Sequence, residues 1–232
     1  MKLKGTFVQF AIATLVLIGL HGWYFFGPDI LYLLFLTYII STVAELLSLK
    51  TSLRCFGVKY WYHLDQPLFS SRIRILKVYP LEVSLAWVIL KYLSFNLAML
   101  ITQAFLLPNM VVVFLTPLIL VSLDFIIDPV AVNVSKLWQW EKRGKYFGIP
   151  LQNFVGWYVV GFLSTFLFSF VYRERQLTFN IFYLLPIIFY ASFIKNSWLI
   201  YKLNRKLALI GSIPAATWTL LSLISLAILY GR

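Results

Sequence analysis

Two aspartates stand one helical turn apart within a long apolar run, LDFIIDPVAV. This spacing places the carboxyl groups of Asp124 and Asp128 on one face of a helix. Burying an ionisable side chain in a membrane costs roughly 2.5–3.5 kcal/mol on insertion scales, so such residues normally face a protein interior and indicate a functional site. Two carboxyl groups in one low-dielectric site oppose each other's ionisation, so one can stay protonated and act as a general acid. The pair predicts acid chemistry on an apolar substrate.

Two other interpretations of this pair remain open at the level of the sequence. Each carboxylate could be structural, capping a helix end or pairing with Lys91 or with a base at the membrane interface. The pair could also bind magnesium diphosphate, as the aspartate-rich motifs of membrane prenyltransferases do. Those enzymes use two such motifs, and only one is found here. We therefore favour the general acid and expect neither a metal site nor a cofactor.

The composition indicates an integral membrane protein. Of the 232 residues, 61% are hydrophobic and 12% are charged, whereas about 25% charged residues are typical of a soluble domain. The mean hydropathy is +0.86. The net charge of +12 lies in loops beside apolar runs, where bases act as topology signals and contact anionic headgroups. No nucleic-acid-binding motif accompanies the charge, so we exclude nucleic acid as a partner and expect membrane lipid instead.

Seven apolar runs are long enough to cross a bilayer, which requires about 20 residues each. The chain is predicted to be an all-α, polytopic membrane helix bundle that forms a single integral membrane domain over residues 1–232. The predicted spans are Thr6 to Phe26, Ile30 to Leu49, Leu81 to Leu107, Val111 to Val132, Leu151 to Val171, Ile181 to Ile200 and Leu207 to Tyr230.

The basic residues predict the orientation of these spans. Most of the 20 Lys and Arg residues, beginning with Lys2 and Lys4, fall on the side of the N-terminus. The positive-inside rule therefore places the N-terminus in the cytoplasm, and we expect a multi-pass protein of the cell membrane. The inner loop of residues 50–80 contains the aromatic stretch YWYH, and we interpret it as a lid over an apolar substrate.

This topology gathers polar residues from several helices at one membrane end. Glu45 is near the end of the second span, Glu82 begins the third, the two aspartates are near the end of the fourth, and Asn153 begins the fifth. Four of the chain's eight acidic residues are therefore expected in one layer at the cytoplasmic end. We predict that the catalytic site lies there.

Each polar residue of this layer has a functional and a structural interpretation. Glu45 is a second proton donor or the base that activates water, or it forms an ion pair with an inner-loop arginine. Asn153 orients water and carboxylate, or caps its helix. Glu82 fits an interfacial acid favoured by the helix dipole. Nearby aromatic residues either form the interfacial belt or contact a carbocation or polyene through their π faces. These substrate-binding candidates are Trp138, Trp140, Trp157, Trp87, Tyr60 and Tyr62.

Several blocks of the sequence resemble those of a known membrane-protein family. The run LDFIIDPVAV, followed by WQW and YFGIPLQNFVGW, resembles the membrane carotenoid-biosynthesis family that includes the carotenoid 1,2-hydratases acting on γ-carotene and bisanhydrobacterioruberin. The earlier AELLSLKTSLRCFGVKYWY and YPLEVSLAW are similar to that family's preceding blocks. The resemblance covers residues 42–161 in blocks, and residues 121–157 are its most specific part.

The resemblance implies the addition of water across a terminal isoprenoid double bond without a cofactor. We expect Asp124 to be the acid, Asp128 the neighbour that keeps it protonated, and Glu45 and Asn153 the groups that hold water. The implied partners are an acyclic or monocyclic carotenoid and water, and other carotenoid-pathway enzymes are candidate partners.

Two alternatives to the hydratase remain open. A small membrane lycopene cyclase would begin with the same protonation but capture the cation with the chain's own double bond, and a Pro-x-Glu such as Pro80–Glu82 suits it. A non-catalytic polyene or lipid binder or transporter would use the buried acids as proton-coupled gates.

Overall fold

The computed structural model describes residues 6–173 and 175–231, and Lys2 and Lys4 lie outside these ranges. Seven segments within them are long and apolar enough to cross a membrane, which confirms the predicted all-α, polytopic bundle. Six are continuous helices: α1 Thr6–Phe26, α2 Ile30–Lys50, α3 Leu81–Ala104, α4 Met110–Asn133, α5 Leu151–Ser169 and α8 Arg205–Tyr230.

The sixth span, Ile181–Tyr201, is present but broken. A 3₁₀ turn at Ile181–Tyr183 leads into α6, Leu184–Ser192, and a second 3₁₀ turn at Ile194–Asn196 leads into α7, Ser197–Tyr201. Irregular backbone at membrane depth is tolerated where it is buried in protein or lines a cavity. Lys195 and Asn196, in the second 3₁₀ turn, line an interior cavity.

Two helices end earlier than expected. We predicted that the third span would reach Leu107 and the fifth Val171, but α3 ends at Ala104 and α5 at Ser169. The early end of α3 has a local cause, since Pro108 restricts the residues before it and Leu106 adopts a positive φ of 54°. The link to α4 is consequently a short turn.

Helix α3 is the centre of the bundle and packs against α1, α2, α4, α6 and α8. Two of its buried polar side chains bond within the helix: Ser94 donates to the Leu90 carbonyl and Asn96 to the Tyr92 carbonyl. Helix α4 packs closely on α5, as Gly161 shows: a Cβ added there would lie 3.0 Å from the Pro117 Cβ. These contacts fix the three helices that carry most of the predicted site.

Lys91, at the middle of α3, does not pair with a carboxylate as we had considered. Its side chain is fully buried, and Nζ donates to the Gly161 carbonyl and, over 2.5 Å, to Thr165 Oγ1 on α5. The acidic side chains lie nearer one end of their helices, about two or more helical turns from Lys91 along the bundle. Lys91 therefore joins α3 to α5 and does not interact with the acidic layer.

Two short antiparallel ribbons lie at the end where α2 and α4 finish and α3 and α5 begin. In one, β1 (Tyr60–Tyr62) pairs with β4 (Trp138–Trp140). In the other, β2 (Arg74–Ile75) pairs with β3 (Tyr79–Pro80). We call these ribbons and their connecting loops, residues 51–80 and 134–150, the aromatic cap. Its cytoplasmic location stays a prediction from the positive charges.

Candidate active site beneath the aromatic cap

The β1–β4 ribbon brings together the two aromatic segments singled out in the sequence. Tyr60 lies opposite Trp140, and Tyr62 lies opposite Trp138. Because side chains alternate along a strand, these four rings point to one side, while Trp61 and Gln139 point to the other. Ring centroids are 4.7 Å apart for Tyr60 and Trp140, and 5.6 Å for Tyr62 and Trp138. The ribbon therefore turns an aromatic surface toward the helix ends below it.

Glu45 lies directly under this surface and accepts hydrogen bonds from three aromatic side chains. Its Oε2 accepts from the Tyr60 hydroxyl and, over 2.9 Å, from the Tyr62 hydroxyl. Its Oε1 accepts from the Trp87 indole N–H at 3.3 Å. The Glu45 side chain is 5% exposed. Burial opposes charge on this carboxyl, and the three donors offset part of that penalty by stabilising its anionic, proton-accepting form. The predicted ion pair with an arginine is not among its described contacts.

Both tyrosines of this network remain proton donors. Burial raises the pKa of Tyr60 well above its usual range, and the neighbouring Glu45 carboxylate raises it further. The pKa of Tyr62 is raised by the same two causes in the same order. Neutral phenols therefore face Glu45 throughout the physiological pH range.

Asp124, Asp128 and Asn153 form a second polar cluster. The Asn153 carboxamide donates to Asp124 Oδ2 over 2.8 Å and to Asp128 Oδ2 over 2.6 Å. The aspartates are fully or almost fully buried, and Asn153 is 2% exposed. The two carboxyl groups also lie within hydrogen-bonding reach of each other. Two carboxyls this close and this dry cannot both carry a charge, so one shared proton is the stable arrangement.

Both clusters border one cavity of about 370 Å³. Glu45, Asp128 and Asn153 line it, and all six predicted substrate-binding aromatics are also among its walls: Trp138, Trp140, Trp157, Trp87, Tyr60 and Tyr62. Trp87 and Trp157 stack at 4.0 Å. The volume falls within the range typical of ligand sites, and the mixture of apolar walls with a few convergent polar groups is also typical.

The two aspartates differ in their access to this cavity. Asp128 lines it, whereas Asp124, which we expected to be the acid, is not among the described lining residues. Asp124 accepts a hydrogen bond from Asn153 and is 0% exposed. Of the pair, Asp128 is the carboxyl placed to reach a substrate.

Glu82 also lines the cavity but is tied to the cap. Its Oε1 accepts from the Ser71 backbone N–H at 2.9 Å, and its Oε2 is 3.8 Å from Arg74 Nη1. Arg74 in turn donates to the carbonyls of Leu64 and Phe69. Glu82 is thus not simply an interfacial acid at a helix start, since it fastens the cap to α3.

The sequence did not identify one wall of the cavity. This wall is formed by α1 and the sixth span, and its aromatic members are Phe7, Phe10, Phe189 and Phe193. No sequence signal separates them from other phenylalanines in apolar spans, because the helix packing alone decides which of them face inward. Within residues 6–173 and 175–231, no three His, Cys, Asp or Glu side chains lie close enough together to hold a metal ion.

Comparison with known proteins identifies the family. The family model described as carotenoid biosynthesis protein matches residues 6–224, almost the whole chain. Neither a curated protein nor a solved structure matches. The length of the family match shows that this chain belongs to the carotenoid biosynthesis protein family.

Proposed function

We propose that the protein is a carotenoid hydratase that adds water across a terminal isoprenoid double bond. One observation carries this proposal: the Asp128 carboxyl, held with Asp124 by Asn153, and the separate Glu45 carboxyl border the same aromatic cavity. Hydration needs both functions at one site, since a proton enters the alkene and another leaves the attacking water. Family membership supports a carotenoid-related substrate.

In the proposed reaction, Asp128 transfers its proton to the less substituted carbon of the terminal double bond. The π electrons form the new C–H bond, and a tertiary carbocation remains on the neighbouring carbon. The stacked rings of Trp87 and Trp157 and the cap tryptophans border the cavity, where their π faces stabilise the cation. This assignment exchanges the roles that we first expected for Asp124 and Asp128, because Asp128 faces the cavity.

Water then attacks the cation and gives up a proton to Glu45. The C–O bond forms, and the product is a tertiary alcohol. The proton passes from Glu45 back to the aspartate pair before the next turnover, so the net reaction consumes one water per double bond. Asn153 holds both aspartate carboxyls in position and is a positioning residue in this scheme.

A lycopene-cyclase-like reaction is the second candidate, and Glu82 in the cavity wall favours it. Cyclisation uses the same initial protonation, after which a double bond of the chain attacks the cation and a proton is lost to a base. The protein would then give an isomer of the substrate, with no gain of oxygen.

Oxygen-18 water distinguishes these reactions. Membranes containing the protein are incubated with an acyclic carotenoid in labelled water, and the products are analysed by mass spectrometry. The hydratase gives an alcohol that carries the label, and membranes containing Asp128→Asn give none. An isomeric ring without label would replace the hydratase with the cyclase, and unchanged substrate would support a non-catalytic binder.

A further inference from the structure

The cavity continues from the acids toward one side of the bundle, where α1 and the sixth span form its wall. Three residues on α1, Phe7, Phe10 and Ala11, face it at i, i+3 and i+4 spacing. Phe189 and Ser192 of α6 and Phe193, which directly follows it, repeat this spacing on the other side. Such spacing places each set on one helix face, so two stripes of side chains border the same space. We call these six residues the side mouth.

The side mouth reaches the lipid-facing surface. Phe10 lines the cavity and is also 57% exposed, so its ring belongs to both surfaces. It meets Phe189 edge to face, with 6.3 Å between ring centroids. α1 packs on α2 and α3, and α6 packs on α3 and α8. A pair of aromatic rings therefore marks the boundary between the cavity and the membrane.

The opposite, polar end of the cavity is covered by the aromatic cap. Phe69, Tyr79, Leu137 and Trp140 of the cap are buried. The β1–β4 and β2–β3 ribbons, together with the contacts of Glu82 to Ser71 and Arg74, hold the cap onto the helices. An apolar molecule approaching from water would have to displace these contacts, whereas one dissolved in the bilayer already faces Phe10.

The length of the cavity limits what it can hold. The α3 residues that line it run from Glu82 to Leu90, eight residue steps that rise about 12 Å. A carotenoid is a linear chain several times longer than this. Only an end of such a chain fits beside Glu45 and Asp128, and the remainder has to leave through a wall.

We propose that the side mouth is the polyene-binding opening through which a carotenoid end enters from the bilayer, while the rest of the chain stays between α1 and the sixth span or in lipid. This inference rests on the proposed function only in taking the bound molecule to be a carotenoid. The break in the sixth span at Ile194–Asn196 borders the same cavity.

A reversible cross-link across the side mouth tests the proposal without requiring catalysis. Phe10→Cys and Phe189→Cys are combined in a Cys55→Ser background, which removes the chain's single cysteine. A short bifunctional thiol reagent that a reductant can cleave joins the pair. The purified protein is incubated with lycopene in phosphatidylcholine nanodiscs, re-solubilised and gel-filtered, and the retained lycopene is measured by its visible absorption.

The order of addition decides the outcome. Cross-linking before lycopene should abolish uptake, lycopene added first should hinder the cross-link by occupying the mouth, and the reductant should restore uptake. The matched control pair is Ile12→Cys with Ile188→Cys, which lie on the same two helices, are exposed, and are outside the described cavity lining. Each control cysteine carries a monofunctional label and should leave uptake unchanged.

Equal uptake by the protein cross-linked beforehand would overturn the side mouth. Failure of the hydratase proposal would look different, since lycopene would then load through the mouth and be recovered unchanged. Asp128→Asn serves as the second control, because it should load lycopene normally while yielding no alcohol.

Discussion

The Asn153 carboxamide donates to the Asp128 carboxyl over 2.6 Å and thereby joins the start of α5 to the end of α4. The second hydrogen of the same amide group is directed to Asp124 at 2.8 Å. Because one neutral donor serves both carboxyls, it cannot neutralise two charges, and a shared proton is the simplest way to satisfy the cluster. The acid of the proposed reaction is thus built from three side chains and presented to the cavity by one of them.

The two aspartates should differ in the effect of a neutral replacement. Asp128→Asn removes the cavity-facing proton donor and should lower carotenoid turnover by about 10²–10⁴-fold, the usual contribution of a general acid. Asp124→Asn leaves Asp128 in the wall and should cost clearly less. Both losses are measured as initial rates normalised to the amount of protein inserted in the membrane. Equal losses, or a larger loss in Asp124→Asn, would return the donor role to Asp124.

Tyr60→Phe should weaken the Glu45 network, and in the wild type the Tyr60 phenol should stay neutral on the alkaline side. The substitution removes one of three donors to a buried carboxylate, a contact worth about 1.5–3 kcal/mol, so turnover should fall roughly tenfold or more. Because burial and Glu45 both raise the pKa of Tyr60, its phenol stays neutral as the pH rises through the ordinary tyrosine value of about 10. It therefore keeps donating.

The corresponding measurement is the rate at pH 7–9 for the wild type and for Tyr60→Phe. Neither profile should contain a fall in rate caused by ionisation of the Tyr60 phenol, and the profile of the variant should be lower. Loss of activity in the wild type alone between pH 7 and 9 would mean that the phenol ionises, contrary to its burial.

Gly156→Ala should disturb the cap while preserving α5. A Cβ at this position would lie 2.6 Å from the Phe56 ring and 2.5 Å from the Cys55 carbonyl oxygen. The loop that leads to Tyr60 would have to move, at a cost of about 1–3 kcal/mol for overpacking. We expect reduced turnover and a lower Tm in detergent. Gly19→Ala is the matched control, since a Cβ there meets no atom within 4 Å; a similar change in both variants would argue against a role for the loop contact.

The helix bundle was predictable from the sequence because it depends on helix length, and the gathering of Glu45, Asp128 and Asn153 at one end follows from where they fall along their spans. The relative orientation of Asp124 and Asp128 was not predictable. Residues four apart on a helix differ by only about 40° in direction, and that angle decides which carboxyl meets the cavity. The sequence pattern does not resolve a difference in direction of this size.

Contacts between segments far apart in the chain were also not predictable from the sequence. The Tyr60–Trp140 pairing joins loops 80 residues apart, and strands of three residues are too short for their alternation to be distinctive. The break near Ile194 lies within an apolar span and carries no proline or glycine. The hydrogen bonds of Lys91 to α5 depend on the packing of Gly161 against α4, which brings the Gly161 carbonyl within reach.

Lys91→Met should leave both folding and turnover almost unchanged. Lys91 has no carboxylate partner among the described residues and is fully buried, so replacing it with an apolar residue of similar length should be neutral or slightly stabilising. Thr165 keeps its own bond to the Gly161 carbonyl at 2.8 Å. Thermal unfolding in detergent and rates in membranes are the measurements. A large loss of Tm would mean that Lys91 compensates a charge that its described contacts do not include.

Glu82→Gln distinguishes the two enzymatic candidates through a residue that the hydratase does not use as an acid. The glutamine carboxamide oxygen can still accept from the Ser71 N–H, so the cap should stay attached, although the weak ion pair with Arg74 is lost. For the hydratase we expect most of the alcohol product to remain. If Glu82 were the proton donor of a cyclase, product would fall by about 10²-fold or more. Chromatography of the carotenoids made by matched membranes measures this, with Glu82→Ala, which loses the Ser71 contact as well, showing how much of any loss comes from loosening the cap.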